Sequence, residues 1–161
     1  MTTTDMEVLT LGLDGEIFAV EADIVREILD MVPVTEVPKA RPFVGGLINV
    51  RGKVVPLADL RFKFGMERKP ATIDTRIVVI EVDVAGESTI VGILADKVYE
   101  VTQIAAAAQE ETPRIGMRWR ADFIRCIGKR AAEFIIVLDI DRVISTDEPA
   151  PDAAPLSDAT Q

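Results

Sequence analysis

Two stretches of this chain follow one pattern at a fixed separation, and that repetition limits the possible folds more than any other feature. Phe18-Ala19-Val20-Glu21-Ala22-Asp23-Ile24-Val25-Arg26-Glu27-Ile28 is echoed by Val91-Gly92-Ile93-Leu94-Ala95-Asp96-Lys97-Val98-Tyr99-Glu100-Val101. Apolar, small, Asp, Val and Glu fall in the same slots: Asp23 matches Asp96, Val25 matches Val98 and Glu27 matches Glu100, every pair at one constant offset. Later in each half a Gly-Lys step, Gly52-Lys53 and Gly128-Lys129, precedes an apolar run that closes on Asp59-Leu60 and Asp139-Ile140. There the offset widens from the first landmark to the second, so order is kept while spacing drifts. Internal similarity of this kind marks one supersecondary unit used twice. A chain of 161 residues has room for one substantial core, or for two small subdomains that share one.

The repeated unit reads as β-structure. Val8–Leu13 and Glu16–Val20 flank Asp14-Gly15, the strongest short-range signal for a hairpin. Leu47–Val50 and Val54–Leu57 flank a second tight turn at Arg51-Gly52, and Ile77–Val82 and Thr89–Leu94 form a third pair joined through Gly86. Phe123–Ile127 and Glu133–Leu138 form a fourth, predicted to join through Gly128. Val32–Val37 alternates around Pro33 and is expected as an edge strand. Helical turns are expected after Asp139 (Ile140–Ile144), over Ala58–Phe64 and over Glu21–Val25, each short. Ile104–Glu111 has high helix propensity, stops at Thr112-Pro113, and is too short to be stable without packing. Many short strands with regular turn signals predict small barrels or a sandwich, and the duplication argues for two barrels packed on each other.

Composition removes several function classes. The chain has no histidine and one cysteine, Cys126, so the commonest general base, a zinc site and an internal disulfide are all missing. That cysteine count and the lack of a signal-peptide pattern point to a reducing cytosol, and no run approaches the roughly 20 apolar residues needed to cross a bilayer. With 18 basic and 27 acidic residues the net charge is −9, opposite to the footprint of a general polyanion binder. Residues 146–161 carry Asp147, Glu148, Asp152 and Asp158 among Pro149, Pro151 and Pro155, and read as a flexible acidic tail.

The continuous segment Val37-Pro38-Lys39-Ala40-Arg41-Pro42-Phe43-Val44-Gly45-Gly46-Leu47-Ile48-Asn49-Val50-Arg51-Gly52-Lys53-Val54-Val55-Pro56-Leu57-Ala58-Asp59-Leu60-Arg61 closely resembles the core motif of the CheW family of chemotaxis coupling proteins. That motif runs apolar-Pro, Pro-Phe-x-x-Gly, Asn-x-Arg-Gly, then apolar-Pro-x-x-Asp-Leu-Arg. The resemblance extends from Glu7 to about Ser145, through Asp23-x-Val25-x-Glu27-Ile28, Gly92-Ile93-Leu94-Ala95-Asp96-x-Val98 and Phe123-Ile124-x-x-Ile127-Gly128-Lys129. It implies a mainly β fold of two small five-stranded SH3-like β-barrels packed together with a few short helices. One CheW-like domain then spans 7–145, with barrel halves at about 7–70 and 71–145 and strands open to exchange between them. It further implies a non-enzymatic adaptor without cofactor, binding the regulatory domain of the histidine kinase CheA and the cytoplasmic tip of methyl-accepting chemoreceptors. Such a protein is cytoplasmic and meets the membrane only through receptor arrays. The kinase's own regulatory domain shares this fold, but this chain lacks the kinase's other domains.

By that resemblance the protein-binding candidates are Val25, Glu27, Ile28, Gly46, Arg51, Gly92 and Val98. Arg51 sits at a tight turn, where a rigid hairpin can display its guanidinium for a partner's carboxylate. A buried Ile28 would leave Val25 and Glu27 outward on an alternating segment. For Gly46 and Gly92, close backbone packing is an equally good reading. Asp59, Asp96 and Asp139 follow strands, where an Asp caps a turn or closes a loop, and nothing in the sequence brings two of them together for acid–base work. Cys126 reads as inert core, and Trp119 has no aromatic companion for base stacking. Arg114, Arg118, Arg120, Arg125, Lys129 and Arg130 gather against one acid, Asp122. A solvated set of cations, a docking patch for an acidic surface, or a phosphate or nucleic-acid site on an SH3-like barrel all fit that run. A small-molecule-binding regulatory domain is a third class.

Overall fold

The computed structural model describes residues 4–38, 44–67, 69–111, 121–130 and 132–145. In chain order its elements are β1 (Met6–Leu13), β2 (Glu16–Glu21), β3 (Val25–Asp30), β4 (Val44–Val50), β5 (Lys53–Ala58), α1 (Leu60–Lys63), β6 (Arg76–Val84), β7 (Glu87–Ala95), β8 (Lys97–Ile104), the two-residue β9 (Gln109–Glu110), β10 (Ile124–Arg130), β11 (Glu133–Leu138) and α2 (Ile140–Ser145). Three hairpins turn on Asp14-Gly15, Arg51-Gly52 and Ala85-Gly86, and all six residues have positive φ. Two successive left-handed residues match the right-handed twist of paired strands, which is why these dipeptides signal hairpins.

The strands form two sheets, ordered β8-β1-β2-β11-β10-β9 and β3-β6-β7-β5-β4. The sequence duplication explains this order. Matching β1, β2, β3, β4 and β5 with β6, β7, β8, β10 and β11 converts the five long strands of one sheet into the other, in the same sequence of neighbours. The register agrees. In one sheet Leu57 of β5 faces Gly92 of β7 across a parallel pair, and in the other Val137 of β11 faces Ala19 of β2. Gly92 follows Ala19 at the offset that relates Asp96 to Asp23, and Val137 follows Leu57 at the wider offset that relates Asp139 to Asp59. Each sheet curls into a small SH3-like barrel, and each barrel combines strands from both halves.

Burial follows the same plan. Val8, Ala19, Ile104, Cys126, Ile135 and Val137 fill the first barrel, and Ile48, Val55, Leu57, Ile77 and Val79 fill the second. A larger cluster, including Leu11, Phe18, Leu60, Phe64, Val78, Ile93, Phe123 and Ile140, draws on both sheets and both helices. At its centre Phe64 stacks on Phe18 with ring centroids 5.3 Å apart and meets Phe123 edge-on at 6.1 Å. Full burial of one such side chain contributes about 1.5–3 kcal/mol, so this shared core ties the barrels together. Asp59 starts α1 by accepting from the Arg61 backbone N–H at 3.1 Å and also grips Arg61 Nε at 3.1 Å.

Three expectations change. Val32–Val37 is not a strand: only Thr35 bridges, to Leu47 of β4, through two 2.8 Å backbone hydrogen bonds. Pro33 has no N–H to extend such a ladder. Gly128 lies inside β10 rather than at its turn; a Cβ there would sit 2.7 Å from Ile104 Cδ1, so close packing, not turning, requires the glycine. Ile104–Glu111 forms the end of β8, a 3-10 turn at Ala106–Ala108 and β9, because pairing with β10 outweighs local helix propensity. The acidic tail, Trp119 and the basic residues Arg114, Arg118 and Arg120 lie outside the described residues.

Candidate docking surface

Arg51 and Glu27 meet. Asn49 Oδ1 accepts the Gly52 backbone N–H at 2.8 Å, which fixes the β4–β5 turn and aims the left-handed Arg51. Its guanidinium then reaches β3, with Nε 3.1 Å from Glu27 Oε1 and Nη2 2.7 Å from Oε2. This two-pronged geometry is the strong form of the arginine–carboxylate pair. The hydrogen bond to Glu27, and then its charge, raise the Arg51 pKa. The Arg51 side chain is 78% exposed and that of Glu27 25% exposed, so solvent screens the pair and it contributes little to stability. Its position is more telling: β3 and β4 are opposite edges of one sheet, and the pair crosses the seam where the barrel closes. The guanidinium expected to await a partner's carboxylate already holds one from its own chain.

Along β3 the faces are the reverse of the expected ones. Ile28 is 43% exposed, while Val25 leans on the shared core and Leu29 on the core of its barrel. Leu29, opposite Ile77, takes the inner face, and a period of two then places Ile28 outward and Glu27 at the inner rim. A register shift between Val25 and Glu27 adds a bulge there. Val98 is half-buried against the same shared core as its counterpart Val25. Gly46 and Gly92 are interior. A Cβ on Gly46 would lie 2.6 Å from Val34 Cγ1 and 2.7 Å from the Thr35 carbonyl oxygen, and one on Gly92 would lie 3.0 Å from Ile77 Cγ2.

Beside the Arg51 hairpin a groove of about 410 Å³ is lined by Val32, Pro33, Leu47, Ile48, Asn49 and Val54. Val54 is 73% exposed. Sequence reasoning did not single it out, because a valine in an alternating strand looks the same whether it faces core or solvent. The second missed feature is in the other barrel, where Arg130 Nη1 lies 2.6 Å from Glu100 Oε2. Glu100 is the repeat partner of Glu27, so each barrel seam carries an Arg–Glu pair. Val101 on β8 and Phe134 on β11 are exposed, as Ile28 on β3 and Val54 on β5 are in the other sheet.

The described part of the basic run is charge-balanced. Arg125 pairs with Glu21 at 3.0 Å, Lys129 with Glu110 at 2.9 Å and Arg130 with Glu100. Lys129 joins β10 to its neighbour β9, Arg125 reaches past β11 to β2, and Arg130 reaches β8 at the far edge of the sheet, which supports a structural role. Asp96 Oδ2 accepts the Asp14 backbone N–H at 2.8 Å and so closes a loop as expected. No group of three or more His, Cys, Asp or Glu among the described residues is placed to hold a metal ion. Cys126 is buried, and that burial pushes its thiol pKa up. Native protein should therefore react with a thiol reagent at pH 8 at least tenfold more slowly than unfolded protein; equal rates, followed by absorbance of the released thiolate, would place Cys126 at the surface.

Residues 7–148 match the family described as "CheW-like domain". The chain is 28% identical over 148 residues to a protein of Rhizobium meliloti named "Chemotaxis protein CheW", covering 92% of this chain and 93% of that one. It is 29% identical over 143 residues to the protein of the same name from Thermotoga maritima, covering 87% and 88%. Among solved structures, the scaffolding protein TtCheW from Thermoanaerobacter tengcongensis superposes with a TM-score of 0.76 at 26% identity, covering 88% of this chain and 93% of that one.

Proposed function

The chain belongs to the CheW family of chemotaxis scaffolding proteins, and on that premise we propose that it couples methyl-accepting chemoreceptors to the histidine kinase CheA without catalysing a reaction. The observation that carries this reading is the Arg51–Glu27 pair, in which the β4–β5 turn presents an exposed guanidinium to β3, on elements that also expose the apolar Ile28 and Val54. Arginine is enriched among the side chains that anchor protein–protein interfaces. Guanidinium edges not engaged by Glu27 can donate to a partner's carboxylate or carbonyl. An adaptor alters kinase output only if it binds the kinase's active and inactive arrangements differently, so receptor signals act by changing that difference. Val25 and Val98 pack on the shared core, Gly46 lets the Val34–Thr35 segment approach β4, and Gly92 leaves room for the Ile77 side chain.

The test is CheA autophosphorylation with receptor-containing membranes, with and without this protein, each with added attractant. Strong stimulation that attractant switches off is expected; no effect from folded protein with cognate partners would refute the coupling role. Arg51→Asp should lower partner affinity at least tenfold, about 1.4 kcal/mol, while Tm moves little because the pair is exposed. The exchange Glu27→Arg with Arg51→Glu restores an internal pair of reversed polarity. It should remain as deficient in coupling as Arg51→Asp, and recovery in the exchanged variant would reduce Arg51 to a seam fastener.

A further inference from the structure

Both barrels are shared between the two halves of the sequence. The ladders β1 with β8, β2 with β11, β3 with β6 and β5 with β7 each join a strand that precedes residue 64 to one that follows residue 75. The covalent link between the halves runs between the core-packed Phe64–Met66 and the buried Thr75, and its described residues, 67 and 69–74, belong to neither sheet. Its described residues are held by a few polar contacts: Lys69 Nζ lies 3.0 Å from Asp14 Oδ1, Arg61 Nη1 donates to the Lys69 carbonyl at 3.1 Å, and the Thr72 backbone N–H donates to Thr75 Oγ1 at 2.8 Å. The first half of one molecule therefore meets, in the second half of another, the same ladders and core that it meets in its own.

We propose that the halves are exchangeable between molecules and that a second copy of this chain is a binding partner. In the resulting reciprocal dimer each first half pairs with the other chain's second half, giving two complete two-barrel bodies joined through residues 67–74. Such an exchange keeps every native contact outside the link, so it is a low-cost route to a dimer. The link sets the balance. A short flexible connection holds the halves at an effective concentration on the order of millimolar, so the closed single chain dominates at micromolar protein, and shortening the link favours exchange. If the coupling role holds, the exchanged form carries each docking surface twice and gains affinity by engaging two partners at once.

Asp30 and Arg76 provide the test, because they face each other across β3 and β6 and lie in different halves. Facing positions of an antiparallel ladder have Cα atoms about 4.5–5.5 Å apart, within the range a disulfide bridges. Two full-length chains, both with Cys126→Ala, one with Asp30→Cys and the other with Arg76→Cys, are unfolded, mixed, refolded and oxidised. One chain carrying both cysteines, which closes the bond internally, shows that the geometry is competent. Exchange predicts a disulfide-linked heterodimer of twice the monomer mass, whose ratio to monomer rises about tenfold for a tenfold rise in refolding concentration. Deleting residues 70–74 should make the dimer the major species by light scattering. Heterodimer no more abundant than after mixing separately refolded chains, with the shortened chain folded and monomeric, overturns the proposal. Neither readout involves kinase or receptor, so failure of the coupling role would leave it standing.

Discussion

Gly46→Ala should destabilise the protein by about 4 kcal/mol and lower Tm by roughly 8–16 °C, one of the largest single-site effects the structure predicts. Gly46 has φ of +147°, a conformation that L side chains rarely adopt. An added Cβ would press on both Val34 Cγ1 and the Thr35 carbonyl oxygen. The second contact is the severe one, because Thr35 is pinned to Leu47 by two backbone hydrogen bonds and cannot retreat without breaking them. Backbone strain and overpacking therefore add. Urea unfolding of the variant would measure the cost, and a loss below about 1 kcal/mol would mean that the segment through Thr35 is free to shift. Because the defect lies in packing, binding per folded molecule should survive, which separates Gly46 from Arg51 among the candidate positions.

Phe64→Ala should cost a similar amount, about 4 kcal/mol, for a different reason. Phe64 is fully buried and sits between Phe18 and Phe123 in the core that both barrels use. Its removal leaves a void at the junction, so both barrels should melt together, at lower temperature, in one calorimetric transition. Separation into two transitions, one per barrel, would mean that the shared core does not couple them.

The parts of this architecture legible in the sequence are those encoded within a few residues. Asp14-Gly15, Arg51-Gly52 and Gly86 mark their hairpins because a left-handed turn demands such residues, and Asp59 marks the start of α1 because its carboxylate caps it. The duplication was legible because both copies keep Asp, Val and Glu at one spacing. Long-range placement was not. Whether Ile28 or Leu29 faces inward depends on which meets Ile77 of β6, and both choices satisfy a period of two. Glu27 and Arg51 lie 24 residues apart and become neighbours only when the edges of a five-stranded sheet curl together. Gly128 read as a turn because glycine serves equally where backbone must approach a side chain, here Ile104. The seven candidate positions thus divide into a surface pair (Glu27 with Arg51), an exposed neighbour (Ile28), two valines on the shared core and two interior glycines, a division that needs the third dimension.

The interleaving of strands also has a consequence for the order in which the protein is made. The hairpin of β1 and β2 is complete at Glu21, yet its partner β11 begins only at Glu133, with most of the chain in between. At about 5–20 residues per second, a ribosome needs roughly 6–22 s to supply it. Throughout that interval the nascent chain displays an unpaired strand edge, the kind of surface on which chains associate wrongly. Neither the first barrel nor the shared core can close before β11 has been made, and a message truncated before β11 yields a chain that cannot complete either its first barrel or the core it shares with the second.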